Sequence, residues 1–256
     1  MNNNNQRTIL ITAPGSGIGK SLVENLMKRN YKILTIGGKN SAKYIEQLNM
    51  NEKKIDFIEC DYSSEESVTE VFKKLRDLSH KIDGMIHLVG GSLFSKNIED
   101  LSFQEYKKVL TLNLDSSFLI SRETFKWMKE TGGGNIILFG STTGLRPSVK
   151  KLPYGIAKAG VHAMVLALAL EGSKYSIITN GIAPGYVLTD RHIADIKEKS
   201  LKSIEKYEDI LAKINLKNPL NQSLEPQEIF PLIELLLITK HIQGQIIRID
   251  SGQLLG

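Results

Sequence analysis

The sequence predicts an α/β fold: a doubly wound sheet of about seven parallel strands with helices on both faces, in a single domain. Three observations carry that expectation. Short apolar, β-branched runs alternate with amphipathic stretches of helical period along the whole chain. A glycine turn, Ala13-Pro-Gly-Ser-Gly-Ile-Gly19, separates the first apolar run from the first helix. Glycines and polar residues recur at the strand exits, where sheets of this kind hold their ligands.

Residues 8–12 read as a buried strand and residues 20–29 as the helix after the turn, with Leu22, Val23, Leu26 and Met27 inward. Strand, glycine turn and helix N-terminus make a phosphate cradle, because glycines let the backbone approach and the first helical turn supplies N–H groups. Residues 31–36 form the second strand, whose exit, Gly37-Gly38-Lys39-Asn40, carries no acid to accept from a ribose 2′-hydroxyl. Lys39 suits a 2′-phosphate instead, which favours NADP(H) over NAD(H). Residues 55–60 are the third strand, with Asp61 at its exit and Ser63 or Ser64 capping a helix through residue 78. Residues 82–89 are the fourth strand, followed by Gly90-Gly91-Ser92; its His87 reads as a satisfied core residue. A long helix over 103–129 is expected to adjust near Asn113, and the fifth strand, 135–139, ends near Ser141. The helix at 152–173 is apolar almost all round from 163 to 170, which asks for the core on one side and a partner subunit on the other. The sixth strand, 177–183, ends in Pro184-Gly185. Residues 188–218 are lysine-rich and weakly helical, and read as a lid over the substrate. A helix with a proline start, 226–239, and a last strand, 245–249, complete the sheet.

Composition narrows the function. The 256 residues are 41% hydrophobic and 24% charged, enough for one sizeable core, with no linker or internal repeat. The net charge is +5, but the lysines are interleaved with acids and no basic run carries aromatics, so no nucleic-acid partner is expected. One cysteine, Cys60, excludes a disulfide framework and a cysteine zinc site, and the five histidines lack metal spacing. Residues 1–6, polar and asparagine-rich, read as a disordered tail before a domain spanning 7–256. They do not form a signal peptide, and the run 163–170 is too short to cross a bilayer, so the expectation is a cytoplasmic protein with no membrane contact.

The chemistry centres on Tyr154-Gly-Ile-Ala-Lys158. On a helix, residues four apart share a face. An ammonium at about 5 Å and an effective dielectric of ~20 attracts a phenolate by ~3 kcal/mol, enough to pull a tyrosine pKa from ~10 toward ~8 before burial pushes back.

With these residues the chain resembles the compact, single-domain short-chain dehydrogenase/reductase family from Thr8 to Gly252, and is similar to its 3-oxoacyl-[acyl-carrier-protein] reductases. Thr12, Gly17 and Gly19 match the motif T-G-x-x-x-G-x-G, with Ala13 at the first glycine; the added methyl implies a shifted turn, with Gly15 compensating. Asp61 matches the adenine-contacting aspartate, and His87-Leu88-Val89-Gly90 stands where the family has N-N-A-G. Asn113, Ser141, Tyr154 and Lys158 match the catalytic tetrad in order, Ser141 thirteen residues before Tyr154. Asn180 to Gly185, with Thr189 beyond, matches the segment that meets nicotinamide and phosphates.

The resemblance implies a Rossmann-like domain in which hydride passes between a nicotinamide and a carbonyl or alcohol carbon of a small molecule. Ser141 and Tyr154 would donate to the carbonyl oxygen, and Tyr154 would act as general acid or base. Lys158 would lower the tyrosine pKa and bind the nicotinamide ribose, and Asn113 would hold a water linking Lys158 to solvent. The cofactor residues implied are Thr12, Gly15, Ser16, Gly17, Ile18, Gly19, Gly38, Lys39, Asp61, Tyr62, Val89, Gly90, Gly91, Tyr154, Lys158, Pro184, Gly185, Val187 and Thr189. Ser92, Leu93, Phe94, Leu145 and Tyr186, with Ser141, would form a mainly apolar substrate pocket. Lys126, Lys129 and Lys174 would give a basic rim for an acidic carrier protein, and the assembly would be a homotetramer. The alternative is a non-catalytic NADP-binding sensor or scaffold, which needs neither Ser141 nor the Tyr154 hydroxyl.

Overall fold

A computed structural model describes residues 6–50 and 55–255. Residues 1–5 of the expected tail lie outside the described residues; Gln6 donates from Nε2 to Asn30 Oδ1 at 3.2 Å. The strands are β1 (Arg7–Thr12), β2 (Tyr31–Gly37), β3 (Asp56–Glu59), β4 (Gly84–His87), β5 (Gly134–Phe139), β6 (Ile177–Pro184) and β7 (Ile246–Ile249). All pair in parallel in the order β3-β2-β1-β4-β5-β6-β7. The chain starts at the centre, winds outward through β2 and β3, then returns to β4 and winds the other way. The crevice at that reversal opens above the exits of β1 and β4.

Because side chains alternate along a strand, each strand feeds both faces. Ile9 and Ile11 of β1 pack with Leu22 and Leu26 of α1 (Gly17–Met27) and Ile45 of α2 (Lys39–Asn49). Leu10 packs on the opposite face with Phe72 and Leu75 of α3 (Glu65–Leu78). The sequence reading places no helix between β2 and β3; α2 forms there, burying Ser41 and Ile45, one turn apart. The long helix divides near Asn113 as expected, into α4 (Phe103–Leu110), a π turn (Thr111–Asp115) and α5 (Ser116–Thr131).

The short α6 (Thr142–Leu145) follows β5, and α7 (Leu152–Gly172) then runs back across the sheet. The 24 residues Leu152–Tyr175 hold an 18-residue window of mean hydropathy 1.4, long and apolar enough to cross a membrane by length and composition, a longer apolar stretch than the sequence reading allowed. Here the inner face of α7 buries Val161 and Val165 in the core, and its outer face exposes Leu166 and Leu170. After β6 come α8 (Asp190–Leu201) and α9 (Tyr207–Asn215), the segment read as a lid. The chain leading into it is tied to the chain beyond it: Leu188 N donates to Leu224 O at 2.8 Å and Leu224 N to Tyr186 O at 3.1 Å. A 3₁₀ turn (Pro226–Ile229) leads into α10 (Phe230–Ile238), which packs beside α1.

Candidate active site

The cleft is built on the first turn of α1. Lys20 N is the first amide to close onto the helix, donating to Ser16 O at 2.7 Å. The N–H groups of Gly17, Ile18 and Gly19 therefore precede the helical ladder. The N-cap Ser16 gives them no side-chain acceptor, since its Oγ donates back to Ala13 O at 3.0 Å. Free amides at the positive end of a helix are the donor set a diphosphate needs, and so these residues fit a dinucleotide. Ala13 sits at φ 51°, in the left-handed region that glycine favours, held by its amide donating to Ile36 O and to the Tyr62 hydroxyl, both at 2.9 Å. Gly15 packs on α2 rather than compensating for that methyl, for a Cβ there would stand 2.7 Å from Ser41 Cα.

Above β5 and α7 the chemical groups converge. Lys158 is buried, its Nζ donating to Phe139 O at 2.8 Å and lying 5.8 Å from the centre of the Tyr154 ring. Ser141 and Tyr154 line the same cleft, and Ser141 is close enough to lower the Tyr154 pKa. Ser141 Oγ accepts from Thr143 N at 3.2 Å, capping α6. The Tyr154 pKa is not depressed as the spacing predicts. Burial raises it, while Ser141 and the Arg191 charge pull it part-way back. The physical reason is depth: burial raises the phenol and also lowers Lys158, to about 8.

Asn113 serves the backbone. Its Oδ1 accepts from Gly91 N at 2.9 Å, and its Nδ2 donates to Gly91 O at 3.1 Å and Val109 O at 2.9 Å. Its own carbonyl accepts from Ser117 Oγ at 2.7 Å. The side chain thus pins the exit of β4 to the π turn. His87 is the satisfied core residue expected. Nδ1 meets Thr12 Oγ1 at 3.2 Å, and Nε2 lies 3.5 Å from Ser116 Oγ. Thr12 and Val89 are buried, and half-buried Tyr62 packs against the core. Thr12 Oγ1 accepts from Leu88 N at 2.9 Å, the Tyr62 hydroxyl donates to Ile36 O at 2.7 Å, and Val89 is buried while Leu88 lines the cleft.

The described cofactor cleft is lined by Gly15, Ser16, Gly17, Ile18, Gly90, Gly91, Tyr154, Lys158, Pro184, Gly185, Val187 and Thr189. Gly19 is buried behind it, where a Cβ would stand 2.3 Å from Ala13 O. Gly38, Lys39 and Asp61 lie at the exits of β2 and β3, on the other side of β1 from Tyr154. Asp61 Oδ1 accepts from Ser63 N at 2.9 Å and Oγ at 2.6 Å, bonds that lower its pKa.

A family model of the short chain dehydrogenases matches residues 7–200. The chain belongs to that family. The short-chain dehydrogenase is 25% identical to the acetoacetyl-CoA reductase of Acinetobacter sp. (strain RA3849), over 96% of this chain and 97% of that one. It is 28% identical to a tropinone reductase homolog of Arabidopsis thaliana, over 96% and 91%. Levodione reductase superposes with a TM-score of 0.87 at 25% identity, covering 96% of this chain and 97% of the other. ElxO with NADP bound, at 23% identity and TM-score 0.89 over 98% and 100%, shares the fold. The protein is an NAD(P)-dependent oxidoreductase acting on CH–OH or carbonyl groups.

The substrate side of this dehydrogenase departs from expectation. A cleft of ≈ 600 Å³ over Ser141 and Tyr154 includes Ser92, Leu93 and Tyr186 but neither Phe94 nor Leu145. Leu145, at the end of α6, is 43% exposed, and Phe94 lies beneath Lys96, whose Nζ is 6.0 Å from its ring. The cleft is not mainly apolar: Lys151, Arg191, His192, Asp195, Lys199 and Gln253 line it. Sequence reasoning missed these because their placement depends on how α8 docks. The available signal was the spacing of Arg191, Asp195 and Lys199, each four apart and so on one helical face. It also missed His162, four residues after Lys158. Ser141 N donates to its Nε2 at 3.4 Å, and its buried Nδ1 has no partner among the described residues. Lys126, Lys129 and Lys174 do not rim the cleft. Lys126 pairs with Glu123 at 2.9 Å, Lys129 and Lys174 cover the Tyr175 ring, and Lys174 lies about 30 Å from Tyr154 along α7.

Proposed function

We propose that the protein interconverts a small-molecule carbonyl and its secondary alcohol with NADP(H), using Tyr154 as general acid and base. The observation that carries this reading is the convergence of Ser141 and Tyr154 on one cleft, with Lys158 buried beside the Tyr154 ring. When bound, a reduced nicotinamide supplies a hydride to the carbonyl carbon and is oxidised in turn. The C=O π pair then moves onto oxygen, which Ser141 Oγ–H and the Tyr154 hydroxyl stabilise by donation. Tyr154 gives its proton to that oxygen, and runs the step backward in the oxidative direction. Its raised pKa suits the first role, since the phenol is fully protonated at neutral pH. Lys158 acts on the phenolate as it forms, where an adjacent cation is worth most.

NADP(H) is favoured over NAD(H) because exposed Lys39 is the first residue of α2, whose N-cap, Gly38, makes no side-chain cap bond. Exposed Phe118 on α5, with Leu166 and Leu170 on α7, supports a homotetramer, to be read by light scattering; the working compartment is proposed to be the cytoplasm. The deciding experiment is NADPH consumption across a carbonyl panel by wild type and Tyr154→Phe. A loss of about 10²-fold or more is expected; activity near wild type removes Tyr154 from the reaction. In the same assay Lys39→Ala should weaken NADPH selectively against NADH.

A further inference from the structure

The substrate side of the cleft carries more positive charge than its own residues balance. Lys151, Arg191 and Lys199 line it against Asp195. The cations come from two directions. Lys151 precedes α7, its Nζ donating to Ser92 Oγ at 2.8 Å, and Ser92 Oγ in turn donates to Phe94 O at 3.2 Å. Arg191 and Lys199 rise from one face of α8, two turns apart. Arg191 reaches toward the exit of β4: a Cβ on Gly91 would lie 3.3 Å from its Nη1. His192 adds no charge. Its Nδ1 is 2.6 Å from Val187 O, its ring lies 4.6 Å from that of Tyr186, and burial holds its pKa down.

These charges feel one another. Besides burial, Arg191 and Lys199 both lower the Lys151 pKa, and Asp195 only partly opposes them. Half-buried Lys151 and exposed Arg191 and Lys199 share one concave cleft, and cations gathered in a cleft raise the local concentration of anions. Lys151 and Lys199 line the substrate side and not the cofactor cleft, whereas Arg191 lines both. The excess charge is therefore not assigned to cofactor phosphates.

We propose that the substrate is an anionic carbonyl compound, an oxo acid or a phosphorylated ketone. Its carboxylate or phosphate is held between Lys151 and Lys199, with Arg191 beside them, while its carbonyl rests on Ser141 and Tyr154. The proposal rests on the carbonyl-reductase reading above, and refines it from a reaction type to a substrate class. It also accounts for the segment 188–218: α8 carries Arg191 and Lys199 on its inner face, so the helix that covers the cleft also reads the anion.

The test uses paired substrates that differ in charge. NADPH consumption is measured with 3-oxobutanoate against its methyl ester, and with dihydroxyacetone phosphate against dihydroxyacetone. The expected result is a kcat/KM preference of about tenfold or more for the anionic member of at least one pair. Which pair shows it distinguishes carboxylate from phosphate. In Lys151→Gln and Lys199→Gln that ratio should collapse toward one while the Kd for NADPH stays unchanged, and added salt should erode it in wild type. Equal or better turnover of the neutral members in both pairs overturns the proposal, as does an unchanged ratio in both variants. Should no pair turn over, the NADP-loaded wild type and Lys151→Gln are titrated calorimetrically with both anions. Binding lost in the variant upholds the anion site although the reductase reading fails, and no binding to wild type overturns it.

Discussion

Lys158 Nζ stands 5.8 Å from the centre of the Tyr154 ring. Both groups lie deep, and burial acts on them in opposite senses, raising the phenol and lowering the ammonium to about 8. The pair is thus a neutral acid beside a costly cation, kept for what it does once the proton leaves.

That cost predicts a pH-dependent stability. The folded pKa of Lys158, about 8, lies below its ordinary 10.5. Below pH 8 the ammonium is present in both states and the folded protein bears the whole penalty. Between pH 8 and 10.5 the folded state loses its proton first, so the penalty fades as pH rises. The gap corresponds to about 3 kcal/mol. Urea unfolding of wild type and Lys158→Met should show wild type gaining roughly that much on the variant between pH 7.5 and 10.5. Parallel curves over that range would contradict the buried ammonium.

His87 predicts the opposite limb. Burial, with the Lys158 charge second, lowers its pKa from 6.5 to about 3. The groups recorded against it are the Thr12 and Ser116 hydroxyls and the Tyr62 ring, whose centre is 6.3 Å away. Its contribution is complete above pH 6.5 and drains away as pH falls toward 3, because the unfolded chain takes up the proton first. At pH 5 the loss is about 2 kcal/mol. His162 and His192 are shifted the same way, so only part of the acid sensitivity belongs to His87. His87→Asn should lose about 2 kcal/mol less than wild type between pH 7 and 5, read from urea midpoints. An identical slope would place the acid sensitivity elsewhere.

The legibility of the chain follows from which contacts are local. Strands such as β1 announce themselves because Ile9, Leu10 and Ile11 are buried on both faces. Helix α2 does not, since it is largely polar and buries only Ser41 and Ile45. Ser141, Tyr154 and Lys158 were readable as spaced types, and a helix and a strand exit bring them together. The substrate wall was not: Phe94 and Leu145 neighbour strand exits in sequence yet stay out of the cleft, while α8 supplies Arg191 and Lys199 from a stretch whose docking no local pattern specifies. The Tyr154 pKa was misread because spacing reports a neighbouring charge and says nothing about depth.

Gly90 joins the fold to the chemistry. It sits at φ 151°, and a Cβ there would stand 2.6 Å from Asn113 Oδ1 and 2.9 Å from Lys158 Nζ. Neither neighbour yields cheaply, because Asn113 is bound to Gly91 and Val109, and Lys158 to Phe139. Gly90→Ala combines backbone strain with overpacking, each worth roughly 1–3 kcal/mol. The variant should therefore lose about 2–6 kcal/mol in urea unfolding. If it stays folded, carbonyl reduction should fall by more than NADPH binding does, because the displaced group is the Lys158 ammonium. Gly91→Ala is the control: its Cβ would meet only Arg191 Nη1, at 3.3 Å, the end of an exposed and flexible side chain. Equal losses in the two variants would mean that the exit of β4 is merely crowded, and that the approach of Gly90 to Lys158 has no bearing on the reaction.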